Sequence, residues 1–182
     1  MAAYAIGMMK HLVLVFALVT LPGVEATPIP RDLKPDFSSM TFALGTWHCT
    51  VDSSRRPRPF ATTATTSISP DGYWLITRTI TGKVPWNPIT ITTTDDVTYD
   101  RTTSRWIDVS MDDYGAYDVS ASPGWNRTTI VWTELVYQKL HGLTSTHQRT
   151  LSKVSATKTV LDQAFAEGSG KRVTVRTTCT KA

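Results

Sequence analysis

The sequence predicts an all-β protein, an antiparallel up-and-down closed barrel of about ten strands with a short N-terminal helical lid. Three observations carry this. Thr- and Val-rich alternating segments run through most of the chain, and β-branched residues suit a pleated, half-solvated surface. Turn signals recur roughly every 10–15 residues, and no stretch is long enough for a crossover helix, which leaves an antiparallel meander. The two cysteines, Cys49 and Cys179, fall on the first and last predicted strands. Those strands are neighbours in a closed barrel and lie at opposite edges of an open sheet. A two-sheet sandwich would also bring them together and stands as the alternative.

The chain opens on an export signal. Lys10 and His11 form a positive start, Leu12–Leu21 an apolar core, Pro22-Gly23 a breaker, and Val24-Glu25-Ala26 a small-residue cleavage site after Ala26. The apolar stretch is about half the roughly 20 residues that a membrane span needs, and no later segment is long and apolar enough, so no stable membrane span is expected. The organisation that follows is a signal peptide over 1–26, an extended lead-in over 27–35 and a barrel domain over 36–182. The expected location is secreted or periplasmic. In an oxidising compartment an even cysteine count favours a Cys49–Cys179 disulfide, with two buried thiols as the alternative. A metal site lacks the Cys-x-x-Cys or His-x-x-x-His spacing it would need.

In the mature chain, Pro28, Pro30 and Pro35 keep the lead-in extended. Asp36 is placed to cap one or two helical turns, with Phe37, Met40 and Leu44 on one face, and Gly45 ends them. Ten strand-like runs follow: 46–54, 60–69, 73–81, 89–99, 105–111, 116–120, 128–136, 143–154, 157–165 and 171–179. Pro70-Asp71-Gly72, Asp112-Asp113-Tyr114-Gly115 and Ser122-Pro123-Gly124 read as turns between them. Turn chemistry also accounts for Asp95, Asp96, Asp100 and Asp118.

The net charge is +4, and the basic residues are scattered apart from Arg55-Arg56-Pro57-Arg58, which reads as a solvated turn. A nucleic-acid partner would call for a concentrated basic face, so none is expected. No Gly-x-Ser-x-Gly elbow is present.

Phe42-Ala43-Leu44-Gly45-Thr46-Trp47 resembles the Gly-x-Trp opening of the lipocalin and calycin barrels. The Gly-Thr-Trp form is similar to that of nitrobindin-type barrels and of a group of small exported bacterial proteins of uncharacterised function. Tyr99-Asp100, Trp106, Gly115-Ala116-Tyr117 and Thr178-Cys179-Thr180-Lys181 resemble that group's strand signatures. The resemblance covers roughly residues 36–180 and implies a barrel that holds a small hydrophobic or amphipathic ligand, with Trp47 as a structural plug at its base. It does not transfer haem, because the histidine that nitrobindin-like proteins carry late in the chain is missing from 171–179. No cofactor is therefore expected.

Alternation sorts each strand into two faces. Arg78 shares a face with Trp74, Ile76 and Ile80; Glu134 shares one with Ile130 and Trp132; His147 and Arg149 share one with Leu143 and Leu151. Taken as inner faces, they give Arg78, Trp132, Glu134, His147 and Arg149 as ligand-binding candidates, with an arginine anchoring an anionic group. The alternatives are a hydrolase or isomerase working in the barrel mouth, which requires a strongly shifted carboxylate or histidine, and an interaction protein with a filled barrel and an aromatic patch near Trp86 and Trp125. Oligomeric state is not encoded in these patterns.

Overall fold

The computed structural model describes residues 33–137, 148–166 and 170–182. A 3-10 helix, Ser38–Ala43, precedes eleven strands: β1 (Gly45–Ser53), β2 (Phe60–Ile68), β3 (Leu75–Thr81), β4 (Ile91–Asp100), β5 (Arg105–Asp112), β6 (Tyr117–Ser122), β7 (Trp125–Asn126), β8 (Thr129–Tyr137), β9 (Gln148–Ser155), β10 (Lys158–Ala166) and β11 (Arg172–Lys181). β7 is a two-residue arm folded onto the start of β8. The other ten form a closed antiparallel ring in which β1 pairs with both β2 and β11, and β6 with both β5 and β8. The up-and-down order follows from short turns, which can join only antiparallel neighbours. The expected barrel is therefore the fold. No helix among the described residues is long and apolar enough to cross a membrane.

Two pairings in the ring stand out. At the first, β1 and β11 pair from Trp47↔Lys181 to Ser53↔Val175. Cys49 and Cys179 stand directly opposite in this register and are joined by a disulfide across a sequence separation of 130. At the second, Asp118↔Tyr137 and Val119↔Val136 are followed by Ser120↔Glu134, so Leu135 is an extra residue on β8. This bulge leaves Leu135 at the surface and keeps Ser120 and Asp118 turned inward.

One end of the barrel is closed by the helical segment. Phe37 and Met40 are buried there with Leu75, Ile130 and Trp132, and Leu44, Val97, Trp106, Trp125 and Leu151 pack around them. The Asp36 carboxylate accepts the Ser38 backbone N–H at 2.9 Å and so starts the turn, as its position before the helix suggests. Gly45, with φ +101, turns the chain from the helix into β1 in a conformation that a side chain would strain. Trp47 is 4% exposed, and its indole N–H donates to the Ala43 carbonyl at 2.7 Å, tying lid to wall. Lys181, from the last strand, caps the same ring at 5.5 Å.

The turn aspartates behave as read only in part. Asp100 accepts from the Thr102 N–H and the Thr103 hydroxyl, and Asp112 from the Tyr114 and Ala116 N–H groups. Asp95 and Asp118 instead lie within strands and face the interior.

Because the disulfide ties segments far apart in sequence, reducing it or replacing both cysteines by serine should lower stability by about 2–5 kcal/mol. Urea unfolding followed by tryptophan fluorescence measures this. An unchanged midpoint would mean that strand pairing alone holds the seam.

Candidate functional site

The barrel encloses a cavity of about 440 Å3. At the lid end it is lined by Met40, Phe42, Trp47, Trp125 and Trp132, and along its length by Leu75, Leu151, Leu161 and Val175. Phe60 and Thr81, at the first position of β2 and the last of β3, line the far end. Eight threonines complete the wall: Thr62, Thr66, Thr77, Thr79, Thr81, Thr93, Thr159 and Thr177. Threonine is what makes the space, since it keeps β propensity while projecting little volume inward. Two of them satisfy each other, with Thr66 Oγ1 and Thr77 Oγ1 at 2.9 Å.

The polar part of the lining converges on Arg149, which is 7% exposed. Its guanidinium lies 2.5 Å from Asp108 Oδ2, 3.0 Å from Ser120 Oγ, 3.6 Å from Asp118 and 3.8 Å from Asp95. Strands β4, β5, β6 and β9 each supply one of the four charged groups. Asp95, Asp108 and Arg149 face the main cavity; Arg149 and Asp118 also border a smaller one of about 150 Å3 with Thr93, Ser110, Ala116 and Gln163. The charged layer thus stands between the two spaces.

Burial dominates its electrostatics. It pushes the Asp108 carboxyl up to about 7; the Asp95 charge adds to the rise, while Arg149 pulls against it. Asp95 is also raised by burial, opposed by Arg149 and by a hydrogen bond from Ser110. Its side chain keeps 28% of its surface open, onto the cavity. For Arg149, burial disfavours the cation, but Asp108, Asp118 and Asp95 together outweigh it and hold the group above its ordinary value. Among the described residues, Asp108 Oδ1 and Arg149 Nε in the layer meet no hydrogen-bond partner, and the same is true of Trp125 Nε1 near the lid.

The sequence-derived candidates divide. Trp132 and Arg149 line the cavity. Glu134 stands opposite the buried Ser120 on the same inner side, though outside the main lining. His147, with Leu143, lies outside the described residues. Arg78 is a correction: it is exposed, on the outer face of β3, and the cavity face of that strand is Leu75, Thr77, Thr79 and Thr81. Ile76 and Ile80 suggested the opposite register. The inner face is set by Leu75, which packs in the lid core, and the threonines behind it leave the cavity open.

Asp108 escaped the sequence reading. The available signal was its place between Trp106 and Ser110 on one face of β5, a carboxylate at strand centre where no turn needs one. Trp86, in the loop before β4, folds back edge-on against Phe60 at 6.0 Å. Trp125, on β7, packs edge-on against Phe42 at 5.3 Å.

No protein-family model matches the chain, and no curated protein shows a significant match. Among solved structures, it is similar to a protein of unknown function of the DUF3598 family from Nostoc punctiforme, with a TM-score of 0.40 and 15% sequence identity. The likeness covers 79% of this chain and 48% of that one, so this chain spans about half the length of its neighbour.

Two outcomes test the charged layer. Arg149→Ala removes the guanidinium from beside three inward carboxylates and should cost about 3–5 kcal/mol, whereas Arg78→Ala should leave the urea midpoint where it is. Equal effects would reverse the assignment of strand faces. The second concerns pH. Asp108 holds its proton in the folded state from the ordinary 3.8 up to about 7, whereas the unfolded chain has released it. Stability should therefore fall as pH rises through that interval, and Asp108→Asn should flatten the slope. A midpoint that climbs over the same range would contradict the burial of this carboxyl.

Proposed function

We propose that this is an exported, lipocalin-like barrel that carries a small hydrophobic or amphipathic molecule. The observation that carries the reading is the cavity itself: a largely apolar chamber of about 440 Å3 with a compact polar group at one place in its wall. Small-molecule sites take this form, in a size range of roughly 300–1,000 Å3. Trp47, tied to the lid at the base of the barrel, supports its reading as a structural plug, and Trp132 supports an aromatic contact to the ligand. A disulfide-joined seam is consistent with an oxidising compartment and so with cleavage of residues 1–26 after Ala26. An interaction protein with a filled barrel fits less well, because Trp86 and Trp125 are packed against neighbouring rings.

A second reading keeps one specific support. Asp108, with its carboxyl near neutrality, lies beside Asp95 and Arg149 on a cavity wall, which is how an acid–base group is poised for proton transfer in an isomerase or hydrolase. Transport is preferred because the guanidinium already occupies Asp108 Oδ2.

Uptake of the neutral fluorophore N-phenyl-1-naphthylamine tests the chamber. The wild type should bind it and enhance its emission. Thr79→Trp, which places an indole into the space from β3, should abolish uptake while unfolding at a similar midpoint. Protein secreted by its own host should begin at Thr27 by intact mass. No uptake by the wild type would remove the binding reading; a mature chain that retains residues 1–26 would remove export.

A further inference from the structure

Among the described residues, the carboxylates that face the main cavity outnumber its cations: Asp95 and Asp108 flank one guanidinium, Arg149, at 3.8 Å and 2.5 Å. A cavity that anchors an anion needs spare positive charge, and here the cation is outnumbered by its own neighbours. The unsatisfied valence points the same way. Asp108 is 4% exposed and lines the main cavity, and its Oδ1 accepts no hydrogen bond from the described residues. A buried carboxylate oxygen is an acceptor that costs free energy unless a donor meets it. Asp95 presents part of its carboxylate to the same space.

We infer that the barrel is selective for a cationic amphiphile, a protonated amine on an apolar body, whose ammonium group reaches Asp108 Oδ1 and Asp95 while its hydrocarbon portion lies between Trp47, Trp132 and Leu161. The inference rests on the binding role proposed above and adds the chemistry of the headgroup. It replaces the anionic ligand expected from the arginines, because Arg78 is outside the barrel and Arg149 is already neutralised. A metal ion is the poorer occupant: the guanidinium sits among the carboxylates, and no group of three His, Cys, Asp or Glu among the described residues is arranged to hold one.

Binding of such a cation is coupled to pH. Among the described residues, the charged groups facing Asp108 are Asp95 from β4, Asp118 from β6 and Arg149 from β9, with Glu134 of β8 across from Ser120. Burial holds the Asp108 proton up to about 7, and an ammonium ion must displace it. Affinity for an amine therefore rises as pH rises through neutrality, and a neutral ligand of the same length shows no such rise.

The experiment is calorimetric titration of the purified protein with decylamine, 1-decanol and decanoate, each below its micellar concentration, between about pH 6 and about pH 8. Decylamine should bind about tenfold or more tightly than either of the others at the upper pH, the margin shrinking toward the lower. Asp108→Asn should remove the margin while leaving decanol binding in place. Asp118→Asn should reduce it and serves if the first variant does not fold. Decanoate binding as tightly as decylamine, or an amine preference that is indifferent to pH and survives both substitutions, would overturn the inference and leave the cavity reading standing. Failure of all three ligands and of N-phenyl-1-naphthylamine would overturn the cavity reading and this inference with it.

Discussion

A sheet with no free edge is the constraint on which this structure depends. Ten strands joined by short turns leave two open ladders, one at each end of the meander, and each must be paired or covered. Here they are spent on each other: β1 meets β11. Once the ring is closed, alternation assigns every second residue to the interior. The only remaining question is how much of that interior side chains fill. The lid end is filled with aromatic and aliphatic groups, and the middle is left open by threonine.

The interior is stable with charges in it because they are brought there together. Arg149 alone would be prohibitively costly inside a barrel, and so would any one of the three aspartates. Four strands deliver them to a single layer, and part of the remaining imbalance is relieved by a proton on Asp108 rather than by solvent. The outer face shows what such pairs look like where nothing is at stake: Asp162 and Arg176 bridge β10 and β11 at 2.7 Å with both side chains exposed. That pair adds little to stability, whereas the inner layer defines what the chamber can accept.

Much of the architecture is legible in the chain. The number of strands, their antiparallel order, the cysteine seam and the lid over the tryptophan all follow from alternation, turn residues and two well-placed sulfurs. The face of β3 is not legible by the same means. Its isoleucines point outward and its threonines inward, and hydrophobicity ranks them in the opposite order. Only packing of Leu75 against Phe37 and Met40 decides between the two. The charged layer was half visible. Arg149 stands out on an apolar face, but its partners come from three other strands, and sequence distance says nothing of that meeting. Asp95 and Asp118 resemble turn aspartates until the strands are seen to run through them.

The ring also imposes an order in time. Cys179 Sγ bonds to a residue 130 positions earlier, and the strand carrying Cys49 has no second neighbour until the last strand exists. Contacts of such long range are entropically slow to form, so this barrel belongs with the slow-folding β topologies. During synthesis the first strand stays half-paired, with its apolar and threonine face uncovered, and a chain in that condition is a target for aggregation or for holdase chaperones. The oxidation that joins the ends is thus a record of completed folding: it can form in register only after the chamber has been assembled.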